Sequence, residues 1–497
     1  MTYQPARPRM DHQNRALAAA AAAPTDPCPD DAFAYLMDYG TGKSQVILDE
    51  WGTMAEAGGV EDLLVVAPAG SYRNWFEDKG DLQRAEIAHM DPAFRERMAV
   101  AHWSSGAGRE HRRRLEEFLR IDDRPRALFV NIEAISSVEK CRDLVREYVS
   151  QRLCYGAVDE STCIKGGGRK NKRVRFMHEI ANELAVRRIA TGLLTPQGPM
   201  DAFSQFAFLS RKILGCRSRA DFQGRYAVTR PMTVNKRTFD VIVDYRDLDD
   251  LHERMAPYSY RVLKSECLDL EPKKYVLWET EHTPEQARLY RELRDDALAV
   301  LESGEHVTTD MVMTRVMRLH QINAGFVVDE ERRVHDVPSN RERDLCEMLG
   351  QHRGKAVIWT AHRRPVARIR EALEREFGGG SRSVAEFHGG NVRQRPEEER
   401  RFIGDPDCRF MIATPQAAGR GNTWTCADLE IYHSNTNSLE DRYNSEDRLH
   451  RKGQTNRVTV VDVVVPDTVD MKIVARLRKK IDMATTLTGE EAREWLI

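Results

Sequence analysis

The residues best suited to do chemistry begin with Gly40-Thr41-Gly42-Lys43-Ser44, followed at once by the apolar run Gln45-Val46-Ile47-Leu48. Glycines let successive backbone N–H groups turn inward around phosphate oxygens, and the N-terminus of the helix that follows adds positive potential. In such a loop Gly40, Thr41 and Gly42 wrap the phosphates, Lys43 reaches the terminal ones and Ser44 holds Mg²⁺. The longer phosphate-loop pattern is incomplete, because Met37 stands where its first glycine would be. Alone, GTGKS also suits an ordinary glycine turn. Asp159-Glu160, at the end of the apolar run Tyr155–Asp159, changes the balance. A strand-ending Asp can hold an Mg²⁺-bound water, and the adjacent Glu can orient or deprotonate an attacking water. Together the two motifs point to a bound nucleotide and Mg²⁺. Far along the chain, Arg448 and Arg451 stand three apart. On a helix that spacing puts both guanidinium groups on one face, suited to the charge that develops on a transferred phosphoryl group.

These groups need scaffolds, and the apolar pattern supplies two. Leu63–Ala67, Ala127–Asn131, Tyr155–Asp159 and Arg188–Thr191 are short apolar runs separated by amphipathic stretches. Lys355–Thr360, Arg409–Thr414, Leu429–Tyr432 and Val458–Val465 repeat the pattern. Continuous apolar runs of this length suit parallel strands buried on both faces, joined by crossover helices. The expectation is an α/β fold of two doubly wound parallel-sheet domains, with ligands at the carboxyl ends of strands. Residues 203–335 lie between them and predict a mostly helical insertion and linker, with clear helical period over Pro284–Leu301. The expected domains are 1–202, 203–335 and 336–497.

Composition narrows the function. The 497 residues include 76 basic and 78 acidic side chains, net −2, which excludes a globally basic nucleic-acid coat or a polybasic membrane binder. Any such contact must be local. Nine dispersed cysteines, with no C-x-x-C pair, read as free thiols of a reducing compartment. Ala16–Ala23 is too short for a membrane span and predicts a helix ending at Pro24. The expected location is intracellular.

From Pro8 to about Val474 the chain resembles the Swi/Snf-like ATPases of helicase superfamily 2, in the compact form of phage and bacterial members. Asp11-His12-Gln13 is similar to the adenine-reading Q motif, and GTGKS to motif I. Val66-Ala67-Pro68 to Ser71, with Asn74-Trp75, is similar to motif Ia, and Asn131-Ile132-Glu133 to motif Ib. Asp159-Glu160-Ser161-Thr162 resembles motif II, and Thr191-Gly192 through Asp201 the motif III region. Tyr260-Arg261 with Lys264, then Leu270–Lys273, resembles the segment after the family's helical protrusion. Phe387-His388-Gly389 resembles the short motif before motif V. Thr414 through Gly419-Arg420-Gly421-Asn422 resembles motif V, and Asp447 through Gln454 motif VI.

The resemblance implies two RecA-like lobes with ATP between them. One lobe carries Gln13, Lys43, Ser44, Asp159 and Glu160; the other supplies Arg448 and Arg451, with Gly421 also at the nucleotide. It implies coupling through Thr191, Gly192 and Gln454, and a motor that tracks along duplex DNA without regard to sequence. Strand separation on DNA or RNA, and an ATP-gated clamp with weak hydrolysis, are the alternatives. Ser71, Asn74, Asn131 and Thr414, with Arg169, Lys170, Lys172 and Arg173 of the densest basic run, are the candidate DNA contacts. A protein partner for targeting is also expected, and the compact form implies the cytoplasm of a bacterial or phage-infected cell. Two departures stand out. Leu193-Leu194 replaces the family's Thr-Pro in motif III, and Asn444 replaces the Gln that opens motif VI.

Overall fold

The computed structural model describes residues 3–488 except 29, 79–83, 168–170, 235–236, 303–308, 330, 379 and 419–421. The chain divides into two compact units, the first gathering residues up to Val228 with Val243–Leu268, the second Thr229–Ile242 with Asp269–Ile481.

In the first unit the strands are β1 (Asp31–Met37), β2 (Asp62–Ala67), β3 (Ala99–His102), β4 (Arg126–Asn131), β5 (Cys154–Asp159) and β6 (Val186–Ala190). In the chain, β9 (Ser259–Val262) of this unit follows a two-stranded sheet, β7 (Ala227–Val234) and β8 (Arg237–Tyr245), most of which belongs to the second unit. The main sheet has the order β3-β4-β2-β5-β6-β1-β9, and every pairing in it is parallel. Strands β2, β4 and β5 are buried along their whole length, as expected for strands covered by helices on both faces. β1 has no counterpart among the runs picked out in the sequence, and its alternating alanines dilute the apolar signal. β9 was concealed for another reason: it is a short edge strand, Ser-Tyr-Arg-Val, with only Val262 buried.

Two features fix the phosphate loop against this sheet. The helix Lys43–Glu56 drops Val46, Ile47 and Trp51 into a core with Phe33, Tyr35, Val65, Phe129 and Tyr155. Its Glu50 receives the Arg188 guanidinium at 2.6 Å and the hydroxyls of Tyr35 and Tyr155 at 2.7 and 2.6 Å. Burial pushes the Glu50 carboxyl up, but Arg188 outweighs it and holds the group below the ordinary carboxylate range. One side chain thus ties the loop's helix to β1, β5 and β6.

The second unit contains β10 (Lys274–Glu279), the small antiparallel pair β11 (Phe326–Val328) and β12 (Val334–Asp336), then β13 (Lys355–Thr360), β14 (Val384–Phe387), β15 (Phe410–Ala413), β16 (Ala427–Ser434) and β17 (Thr459–Val464). Its main sheet has the order β10-β17-β16-β13-β15-β14, again parallel throughout. Period-2 alternation sends Ala356 and Ile358 to one core and Val357 and Trp359 to the other. The segment 203–335 is shared between the units. It includes the helices Met200–Leu209 and Pro284–Glu302, but it also contributes β9 to one sheet and β10 to the other. Parallel pairing with distant strands turned two half-polar stretches into sheet edges, which periodicity along the chain does not reveal.

Candidate functional site

The phosphate loop leaves the carboxyl end of β1 and closes with Gly40 and Gly42 at φ 78° and 84°, the left-handed region that favours glycine. Gly42 has a second requirement: a Cβ there would sit 2.2 Å from the Gln13 Nε2. Gln13 lies against the loop because its amide spans two segments. Its Oε1 accepts the Met10 N–H at 2.8 Å, and its Nε2 donates to the Thr41 and Gly42 carbonyls at 3.4 and 3.3 Å. His12 Nε2 is 2.8 Å from the same Thr41 carbonyl. Lys43 is buried; its Nζ donates to the Met37 and Asp38 carbonyls at 3.0 and 3.3 Å and lies 4.5 Å from the Tyr39 ring centroid. These are neutral acceptors, so phosphate oxygens could replace them without leaving a buried charge unpaired.

Asp159 and Glu160 emerge from β5, separated from β1 by β6 alone. Asp159 Oδ2 accepts the Trp75 indole N–H at 3.1 Å, and Oδ1 accepts the Glu160 N–H at 3.0 Å. Glu160 adopts φ 46°, ψ 60°, a left-handed conformation costly for a side chain with a Cβ. Strain of that kind is retained where a side chain must leave a strand end in one direction. Ser44 and Asp159 offer a hydroxyl and a carboxylate, the hard oxygen donors that Mg²⁺ takes.

The loop after β6 joins the two motifs. Gly192 lies against Tyr39, where a Cβ would come within 2.8 Å of the ring. The Thr191 hydroxyl closes a tight turn, donating to the Leu193 carbonyl at 3.1 Å and accepting the Leu193 N–H at 3.2 Å. Ser161 donates to Gln205 Oε1 at 2.6 Å, and Gln205 Nε2 donates to the Leu194 carbonyl at 2.8 Å. Lys43, Tyr39, Gly192, Leu194, Gln205, Ser161 and Asp159 therefore form one contiguous set within the first unit.

In the second unit Arg448 and Arg451 converge on one atom. Arg448 Nη1 donates to the Asn422 carbonyl at 2.8 Å, and Arg451 Nη1 donates to it at 3.1 Å and to Thr423 Oγ1 at 3.0 Å. The expectation that both lie on a helix is corrected: the helix Leu439–Glu446 ends before them, and 447–453 is a turn. The Arg448 carbonyl accepts the Trp424 N–H at 2.8 Å and so leaves the helical ladder. Behind the turn, Glu446 accepts from Lys273 at 2.5 Å, Tyr275 at 2.7 Å and Arg442 at 2.6 Å.

No family model matches the chain. Among curated proteins it is similar to the human "DNA annealing helicase and endonuclease ZRANB3", 22% identical over 337 residues, 68% of this chain and 30% of that protein. It is also similar to "TATA-binding protein-associated factor MOT1" of Saccharomyces cerevisiae, 22% identical over 390 residues, 68% of this chain and 20% of that protein. "Chromodomain-helicase-DNA-binding protein 1-like" of Danio rerio is 21% identical over 447 residues, 86% of this chain and 39% of that protein. These likenesses agree with the resemblance to the Swi/Snf-like ATPases of helicase superfamily 2. The chain spans less than half the length of these relatives. Among solved structures it is similar to "Sulfolobus solfataricus SWI2/SNF2 ATPase core in complex with dsDNA", at 18% identity and TM-score 0.41, covering 100% of this chain and 97% of that one.

The family's remaining motif residues have these places. Asn131 caps the helix Ile132–Ser137, accepting the Ala134 N–H at 2.8 Å. Ser71 and Asn74 sit half-buried around the short turn Tyr72–Trp75. Thr414 is buried at the end of β15, its N–H donated to the Phe387 carbonyl at 3.2 Å. Gln454 spends its amide on the Ala427 and Leu449 carbonyls at 2.8 and 3.1 Å and on the N–H groups of Thr455 and Asn456. Lys172 and Arg173 begin the helix Lys172–Ile180, Lys172 exposed and Arg173 half-buried. Arg169, Lys170 and Gly421 lie outside the described residues. The other basic run, Arg112–Arg114, lies on a helix where Glu110 and Glu117 pair with Arg113 and Arg114.

Trp75 and Gln205 had no role in the sequence reading. A signal for Gln205 existed: it is the single amide in the apolar stretch Ala202–Leu209 and is fully buried. Both tryptophans beside motifs, Trp75 and Trp424, are buried in cores, as packing residues would be.

Proposed function

We propose that this chain is an Mg²⁺-dependent, DNA-stimulated motor that translocates along double-stranded DNA, ATP drawing its two lobes together. The observation that carries the reading is the joining of motifs I, II and III into one hydrogen-bonded and packed set in the first unit. In this scheme Gly40, Thr41 and Gly42 cradle phosphates, Lys43 moves from backbone carbonyls to the terminal phosphates, and Gln13 meets adenine. Ser44 and Asp159 hold Mg²⁺, which when bound neutralises charge on the phosphates. Glu160 orients and deprotonates the attacking water. Arg448 and Arg451 stabilise the charge developing on the phosphoryl group. Because they belong to the other unit, hydrolysis requires closure and product release permits opening. Lys172, Arg173 and Arg175 in the first turn of a helix oppose its dipole, an arrangement that phosphates of a nucleic acid would relieve. Among the described residues no helix is long and apolar enough to cross a membrane.

The test is ATP turnover with and without duplex DNA, beside triplex-displacement and strand-displacement assays. Duplex-stimulated turnover with triplex displacement alone supports the proposal. Unwinding of forks makes the chain a strand-separating helicase. ATP-dependent binding without stimulated turnover makes it a clamp, the reading that the Leu193-Leu194 departure would favour.

A further inference from the structure

An ungapped alignment puts Leu193-Leu194 where the family has Thr-Pro, with Thr195-Pro196 two residues later, yet the loop here is tightly held. Two replacements hold it. Thr191 closes the turn on Leu193, and Gln205 takes the Leu194 carbonyl. Gln205 is fully buried on the helix Met200–Leu209, and its amide is used on both sides. The oxygen accepts the Ser161 hydroxyl, one residue beyond Glu160; the nitrogen serves Leu194 and, within its own helix, Asp201 at 2.8 Å.

Neighbours on that helix extend the grip. The Ser204 hydroxyl donates to the Gly166 carbonyl, and His178 Nε2 is 2.8 Å from the Ser204 carbonyl. Asp201 Oδ2 accepts the Gln197 N–H at 2.8 Å. One rigid helix thus holds the segment leaving Glu160 at Ser161 and at Gly166, and the loop after β6 at Leu194 and at Gln197. The same segment runs on to Lys172 and Arg173. Gln205 joins Ser161 to the loop whose Gly192 lies against Tyr39.

We propose that Gln205 is a positioning residue that couples DNA engagement to ATP hydrolysis, holding the Glu160 turn and the Thr191–Pro196 loop as one unit. It rests on the DNA-stimulated reading above. Gln205→Met keeps the length of the side chain and removes its polar bonds. In the full chain, this variant should lower the ratio of duplex-stimulated to basal kcat about tenfold. Basal kcat should fall by much less than the stimulated kcat, and duplex affinity by fluorescence anisotropy should stay unchanged. Ser161→Ala, which removes a single hydroxyl, should lower the same ratio, and the double variant should fall little further because both act through one bond. Equal losses of basal and stimulated turnover would reduce Gln205 to a packing residue, and an unchanged ratio would remove it from the coupling route. If thermal melting shows that Gln205→Met does not fold, Ser161→Ala decides: an unchanged ratio overturns the proposal. A wild-type chain that duplex DNA does not stimulate sinks the motor reading itself, which separates the two failures.

Discussion

The two units hold their reactive groups by different means. In the first, Lys43 rests on neutral carbonyls and an aromatic face, and the surrounding bonds are mostly to backbone. In the second, Arg448 and Arg451 also donate to a neutral carbonyl, but the turn that carries them stands on a buried ionic network. Lys273 and Arg442 face Glu446, and Arg442 also meets Asp462 at 2.5 Å and lies 3.6 Å from the Tyr432 ring centroid. A site that must give up its bonds to a ligand is built on neutral contacts that exchange cheaply. A site that must present charge at a fixed place is built on ion pairs, whose geometry is costly to disturb.

The sharpest way to break this comparison is to remove one cation from each side. Lys43→Ala should lower ATP turnover by about 10³-fold and weaken nucleotide binding, because Lys43 serves both ground state and transition state. Arg448→Ala should lower turnover by a similar factor of about 10³ while leaving nucleotide affinity within a few-fold. Phosphate release and equilibrium binding of a fluorescent ATP analogue distinguish them; equal loss of binding in both variants would erase the contrast.

Next come the supports. Glu446→Gln removes the carboxylate that Lys273 and Arg442 share and should cost about 3–5 kcal/mol, since a buried ionic network loses its central charge. Glu50→Gln should cost about as much in the first unit by leaving the buried Arg188 only the half-exposed Asp31 as a carboxylate partner. Denaturant unfolding should show the two losses in separate transitions, and a single shared transition would argue against independent frameworks. Trp75→Phe keeps the ring but takes the N–H from Asp159, for about 1–3 kcal/mol. Its expected signature is a higher Mg²⁺ requirement in metal titration of the nucleotide complex, with folding retained.

The smallest effect is one of pH. Burial first, and then the neighbouring Glu446 charge, push the Glu430 carboxyl up to about 8. A group raised above its unfolded value stabilises the fold below that value and loses the contribution as pH rises toward the folded pKa. Wild type should therefore lose about 1–2 kcal/mol relative to Glu430→Gln between pH 5.5 and 7.5. Buried His362, held neutral down to about 3 by burial and by His320, acts in the opposite direction in both proteins and cancels from the difference. Parallel stability curves for the two proteins would count against a protonated Glu430.

How much was legible depended on range. Strands such as Lys355–Thr360 announced themselves because a doubly covered strand must be apolar throughout. The phosphate loop and Asp159-Glu160 were legible because their chemistry is local: glycines beside a lysine, a carboxylate pair after an apolar run. The helix beneath the arginines was misjudged because the bond that ends it comes from Trp424, 24 positions upstream in the sequence. What Trp75 and Gln205 bond to was not legible, because their partners lie 84 and 44 residues away.

By itself, then, the sequence determined which side chains this chain carries, their order, and the two parallel sheets that bear them, since those follow from residue type and short-range period. Only the tertiary structure decided that Glu160 leaves its strand in a left-handed turn, that Asp159 is held by an indole, and that Gln205 joins two motifs. Each of these is a contact between segments far apart in the chain, where no local pattern specifies the partner and only the packed sheet brings it within hydrogen-bond reach.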